Sequence, residues 1–160
     1  MQNISNIIMK SLEILVVIIL AVMSFLVIVN VGLRFAFSSG IVVSEELSRF
    51  LFIWVVFLGA IIAMKSDSHI YVDFIRKALP KPIQSFVKVF CYGAMLYCCY
   101  LLCVGSYELY EFNMEDLSPV AQIPLGYIYI SGSIGAIGMG IILVFNILQL
   151  VMNIVKGKWE

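Results

Sequence analysis

Four long apolar runs separated by shorter polar stretches dominate the chain. Glu13 and Arg34 bracket the first, Ile14 to Leu33; Arg49 and Lys65 bracket the second, Phe50 to Met64; Lys88 and Glu108 bracket the third, Val89 to Tyr107. The fourth lies between Asp116 and Lys156, a window longer than one perpendicular crossing needs, and Pro119 and Pro124 set its start near Leu125. About 20 apolar residues in a helix cross the hydrocarbon core of a bilayer. The pattern therefore predicts an all-α membrane protein, a single domain of four transmembrane helices over about 12–35, 46–64, 87–109 and 125–150. The second run reaches full length only when Leu47 to Arg49 join its helix.

The stretch between the second and third runs has a different period. In HIYVDFIRKAL, Ile70, Phe74 and Ala78 form one helical stripe with Val72, Ile75 and Leu79 beside it, and Asp73 and Lys77 stand four apart. This predicts a short amphipathic helix over about 69–79, lying in the membrane interface.

Composition agrees with the pattern. At 62% hydrophobic, 12% charged and a mean hydropathy of +1.06, the chain falls outside the range of soluble domains. Ten basic residues balance ten acidic ones, so no net field suggests nucleic acid. The opening MQNISNIIMK resembles the head of a signal peptide, but the apolar run continues to Val29 without an A-x-A-like site, so the N-terminus is expected to be retained.

Charge position predicts orientation. Lys65, Arg76, Lys77, Lys81 and Lys88 gather around the middle connection, with Lys10 near one terminus and Lys156 and Lys158 at the other. The stretch after the third run carries Glu111, Glu115 and Asp116 and no base. By the positive-inside rule both termini and the middle connection are expected in the cytoplasm.

Chemistry-bearing residues are few. Ionisable groups lie at the ends of the runs, where long side chains reach the interface, so a proton or ion relay at mid-depth is not expected. One histidine, His69, cannot supply the paired ligands of a membrane haem, and only Asp67 and Asp73 stand near it as zinc ligands. Cys91, Cys98, Cys99 and Cys103 share one apolar run and read as small apolar residues of a membrane helix.

Two constellations remain. ISGSIGAIGMG, Ile130 to Gly140, lacks the Lys and Ser/Thr of a phosphate loop, but Gly132, Ala136 and Gly140 recur every four residues and permit close helix approach. Gly59 and Ala63 are a shorter version. Either packing within the chain or docking of a partner membrane subunit explains such a stripe. In SEELSRFLFIW, Ser44 is placed to cap a helix whose first turn carries Glu45 and Glu46, with Arg49 in reach of both and Arg34 able to complete the network. A structural cap and an intersubunit ion-pair site are both open readings.

NVGLRFAF (Asn30 to Phe37), SEELSRFLFIWVVFLGAIIAM (Ser44 to Met64) and HIYVDFI (His69 to Ile75) together resemble the small, DctQ-like membrane subunit of tripartite ATP-independent periplasmic (TRAP) transporters. The shared pattern is an Arg-aromatic pair ending the first helix, an E-E-L-x-R-[FY] entry to the second, a W-x-x-F-L-G-A core and an H-I-x-V-D connection. The resemblance implies a non-catalytic subunit in the bacterial inner membrane, scaffolding a large multi-span subunit during sodium-coupled symport of organic acids, sialic acid or C4-dicarboxylates, delivered by a periplasmic binding protein. It implies no cofactor on this chain, with sodium held by the large subunit. Carried over residue by residue, Arg34, Glu45, Glu46 and Arg49 would fix the hairpin or touch the large subunit or membrane lipid. Trp54 and Gly59 would serve helix packing, and His69 with Asp73 would anchor the interfacial helix. An autonomous proton-coupled exporter of the small multidrug type is the alternative, with Glu13 as its only candidate acid.

Overall fold

The computed structural model describes residues 2–37, 40–65 and 81–155, with side chains over 6–37, 40–65 and 87–152. The stretch 69–79 expected to form an interfacial helix, with His69 and Asp73, lies outside the described residues. Four helices follow in order: α1 (Gln2–Phe37), α2 (Val42–Lys65), α3 (Lys81–Phe112) and α4 (Gly126–Val155). Each contains a segment long and apolar enough to cross a membrane: Asn6–Phe37, Val42–Lys65, Val87–Phe112 and Gly126–Met152. This is a multi-pass membrane protein. At ~1.5 Å rise per residue α2 is ~36 Å long, enough for one crossing, whereas α1 at ~54 Å overshoots the ~30 Å hydrocarbon core.

The helices stand in single file. Among the described residues α1 packs on α2, α2 on α4 and α4 on α3, and no other pair is in contact, so the spatial order is 1-2-4-3. The arrangement concentrates the core in the middle: Leu58 and Ile61 of α2 and Ala136 and Leu143 of α4 are buried. The flanking helices present apolar side chains outward, such as Phe25 and Ile28 of α1 and Tyr97 and Tyr100 of α3. Lipid tails are as apolar as these side chains, so the contacts that do form must rest on close approach and hydrogen bonds rather than on the hydrophobic effect.

Close approach is seen between α2 and α4. A methyl group placed on Gly135 would stand 2.9 Å from Phe57 Cβ, and one on Gly138 would stand 2.5 Å from Ile61 Cδ1. Gly132 faces both Phe57 and, more tightly, the Ser106 side chain of α3. Ser133 Oγ adds a hydrogen bond by donating to Cys103 O at 3.2 Å. Gly132 and Ala136 of the four-residue stripe are thus absorbed by packing inside the chain, while Gly140 and Gly59 face open space.

Candidate functional site

The polar side chains collect at the end where α1 turns into α2 and α3 into α4. Asn30, on the penultimate turns of α1, is buried and bonds in two directions: its Nδ2 donates to Glu45 Oε1 at 3.1 Å, and its Oδ1 accepts from Ile41 N at 2.8 Å. One amide side chain thereby satisfies a backbone N–H just before α2 and holds the carboxylate of the first turn of α2. Gly40 lies against it, since a methyl there would stand 3.1 Å from Asn30 Oδ1. Arg34 Nη1 approaches Glu45 Oε1 at 3.6 Å, but its side chain is 70% exposed, so this pair contributes ~0–1 kcal/mol.

Ser44 does not cap α2. The helix begins two residues earlier, at Val42, and the Ser44 hydroxyl, buried, donates across to Leu26 O of α1 at 3.1 Å. Ser48, also buried, donates back to Ser44 O at 2.7 Å. Ser44 thus bonds α2 to α1 at Leu26, one turn from Asn30, while Ser48 bonds within α2.

Glu46 points the other way. Its Oε2 accepts from Ala121 N at 2.6 Å, tying α2 to the α3–α4 connection. That connection is itself ordered: Ser118 N donates to Ile123 O at 2.9 Å, Ile123 N to Ser118 Oγ at 3.2 Å, and Gln122 N to Ser118 O at 3.2 Å. Gln122 takes the left-handed conformation at φ 53°, and Leu117 pairs with Pro124. Leu125 N to Asp116 O and Gly126 N to Asn113 O close the base of the turn. Glu46 is therefore the side chain by which the turn at Ala121 is latched to α2.

The expected four-member network of Arg34, Glu45, Glu46 and Arg49 does not form. Glu45 is engaged by Asn30 and Arg34, Glu46 by a backbone N–H that would otherwise lack a partner, and among the described residues Arg49 makes no ion pair. Arg49 instead lines a cleft of about 480 Å³ between α1 and α2, together with Glu45 and Phe52. Trp54 is half-buried on α2. Asn30, Gly135 and Gly138 join the picture although sequence reasoning gave them no site role. The signal was present in the lone amide inside an apolar run and in the three-residue spacing of Gly132, Gly135 and Gly138.

These elements span the stretch that matches a family model. Residues 23–153 match the model described as tripartite ATP-independent periplasmic transporters, DctQ component. The chain belongs to the DctQ family. A Haemophilus influenzae protein named as a TRAP transporter small permease is 38% identical over 158 residues, covering 99% of this chain and 98% of its own. The C4-dicarboxylate TRAP transporter small permease protein DctQ of Vibrio cholerae is 25% identical, over 92% of this chain and 72% of its own. The sialic acid TRAP transporter permease protein SiaT of Haemophilus influenzae is 30% identical over 56% of this chain and 15% of its own. The protein described here is thus a small permease component of a TRAP transporter, and its DctQ-family segment begins at Met23, on the face of α1 that lines the cleft.

Proposed function

We propose that this subunit is a scaffold for the large multi-span membrane subunit of its transporter, in sodium-coupled uptake of organic acids handed over by a periplasmic binding protein. The observation that carries the reading is the single file of helices, which leaves both broad faces apolar and outward-facing. A self-sufficient carrier encloses its substrate path between packed helices and lines it with ionisable or polar groups. Here the buried polar side chains, Asn30, Ser44, Ser48, Ser118 and Ser131 among them, are spent on hydrogen bonds within the chain. Substrate and sodium then fall to the large subunit. The likeness of more than half of this chain to 15% of a far longer permease supports its working beside such a polypeptide.

The relatives named for sialic acid and for C4-dicarboxylates share carboxylate substrates, so organic acids of this class are the cargo proposed. The basic residues around 65–88 and at both ends support an orientation with the termini in the cytoplasm of the inner membrane and the Asn30–Glu46–Ala121 cluster on the periplasmic side.

The test is co-purification. The tagged chain, expressed with its neighbouring genes and extracted in mild detergent, is expected to bring down a large multi-span protein in fixed stoichiometry, and the pair in liposomes to take up organic acid only with a sodium gradient and binding protein. A chain that purifies alone and drives transport alone, with Glu13→Gln abolishing it, would replace the scaffold by the autonomous exporter.

A further inference from the structure

We propose that the cleft between α1 and α2 holds one phospholipid with a zwitterionic ethanolamine headgroup, its phosphate on Arg49, its ammonium on Glu45 and an acyl chain among Met23, Val27, Phe52 and Ile53. The cleft is an open groove of about 480 Å³, inside the ~300–1,000 Å³ range of ligand clefts. From Glu45 to Ile53 it follows α2 for eight residues, ~12 Å of helix rise. Its chemistry is sorted along that length, with charge in the first turns of α2 and only apolar side chains beyond.

Polar groups available to a headgroup are few and specific. Ser48 donates its hydroxyl to Ser44 O. Arg49 is exposed and, among the described residues, makes no ion pair, although it immediately precedes the apolar run Phe50 to Met64. Its guanidinium offers five donors in a planar fork that fits phosphate oxygens two at a time. Asn30 and Arg34 both reach Glu45 Oε1, leaving Oε2 for a further donor. Glu45 and Arg49 stand one helical turn apart, ~5–6 Å between Cβ atoms, which matches the short arm linking phosphate to ammonium. A choline headgroup has no N–H for Glu45, and a glycerol headgroup has no positive charge. A partner helix, ~10 Å across, would lie over the cleft rather than in it.

The full chain, purified in mild detergent, would be titrated with dioleoyl phosphatidylethanolamine, phosphatidylcholine and phosphatidylglycerol and read by native mass spectrometry. One ethanolamine lipid is expected to bind, with the other two at least about tenfold weaker. Arg49→Gln is expected to weaken binding about tenfold or more, Arg49→Lys less, and Lys88→Gln not at all. Equal binding of the three lipids, or unchanged binding by Arg49→Gln, overturns the proposal; if Arg49→Gln instead loses the large subunit with lipid retention intact, the guanidinium belongs to a protein contact. Should Arg49→Gln not fold, a phosphatidylethanolamine with a photoactivatable acyl chain read on the unmodified chain decides: crosslinks at Met23, Val27, Phe52 or Ile53 support the site, and crosslinks confined elsewhere overturn it.

Discussion

Between α1 and α2 the contact is made by side chains that reach: Asn30 to Glu45 and Ile41, Ser44 to Leu26. Between α2 and α4 it is made by side chains that are missing, at Gly135 and Gly138, so that Phe57 and Ile61 can lie against bare backbone. Both solve the same problem, since in lipid no hydrophobic effect drives helices together. They fail differently, however. A hydrogen-bonded seam loses roughly one bond per deletion, whereas a backbone-contact seam loses its whole fit when one methyl is added.

The largest effect is therefore expected at Gly135. Gly135→Ala puts a methyl 2.9 Å from Phe57 Cβ and 3.0 Å from Cδ1. Cβ is fixed to the α2 backbone, so α2 and α4 must move apart, at a cost of about 1–3 kcal/mol. Thermal unfolding in mild detergent, followed by circular dichroism, would show it. Phe57→Ala removes the ring but keeps the offending Cβ, so the double variant recovers only in part. Gly138→Ala gives the contrasting case: the atoms it meets are Cδ1, Cγ1 and Cγ2 of Ile61, all of which Ile61→Ala deletes, and that double variant should recover more fully. Equal recovery in the two doubles would remove the distinction.

Next comes Asn30→Ala. It removes the acceptor of Ile41 N and a donor to Glu45 at once. The expected loss is about 1–2 kcal/mol, the range for polar contacts between membrane helices. Glu45→Gln should cost less, because Asn30 keeps Ile41 and the exposed Arg34 pair is weak. Loss of stability in Glu45→Gln as large as in Asn30→Ala would mean that the ion pair, not the amide, holds this hairpin.

A smaller and more local effect is expected at Glu46, which belongs to neither seam. Glu46→Ala leaves Ala121 N without its acceptor, a loss of about 1 kcal/mol, and hydrogen exchange at the Ala121 amide should accelerate. Glu46→Gln retains an oxygen at that place and should protect the amide nearly as well. Protection unchanged in Glu46→Ala would detach the α3–α4 turn from α2.

What the sequence revealed follows the same division. Four helices were legible because uncharged runs of membrane-spanning length are a one-dimensional signal; of the four-member network expected around the short α1–α2 connection, only the contact of Arg34 with Glu45 forms among the described residues. Glu46 was misread, as its partner lies 75 residues on and is a backbone N–H with no sequence signature. Ser44 was misread as a cap because α2 starts at Val42, a residue with no capping side chain. ISGSIGAIGMG carries both a four-residue and a three-residue glycine spacing, and only the neighbour decides which is used. The order 1-2-4-3, which sets α2 beside the parallel α4, is a choice of neighbours about which local pattern says nothing.

The smallest effect on stability is expected at Gly59, and it bears most directly on the scaffold. A methyl on Gly59 meets nothing within 4 Å, and the same holds at Gly140. Alanine is a better helix former than glycine by about 1 kcal/mol in water, so Gly59→Ala should leave the isolated chain as stable as before or slightly more so. Gly59→Leu fills the same open space with a larger side chain. If either variant keeps its melting temperature while co-purification of the large subunit or uptake declines, the face of α2 around Gly59 is where the partner helix approaches. If even leucine leaves assembly untouched, that face is covered by lipid, and the scaffold contact belongs to the outward faces of α1 or α3.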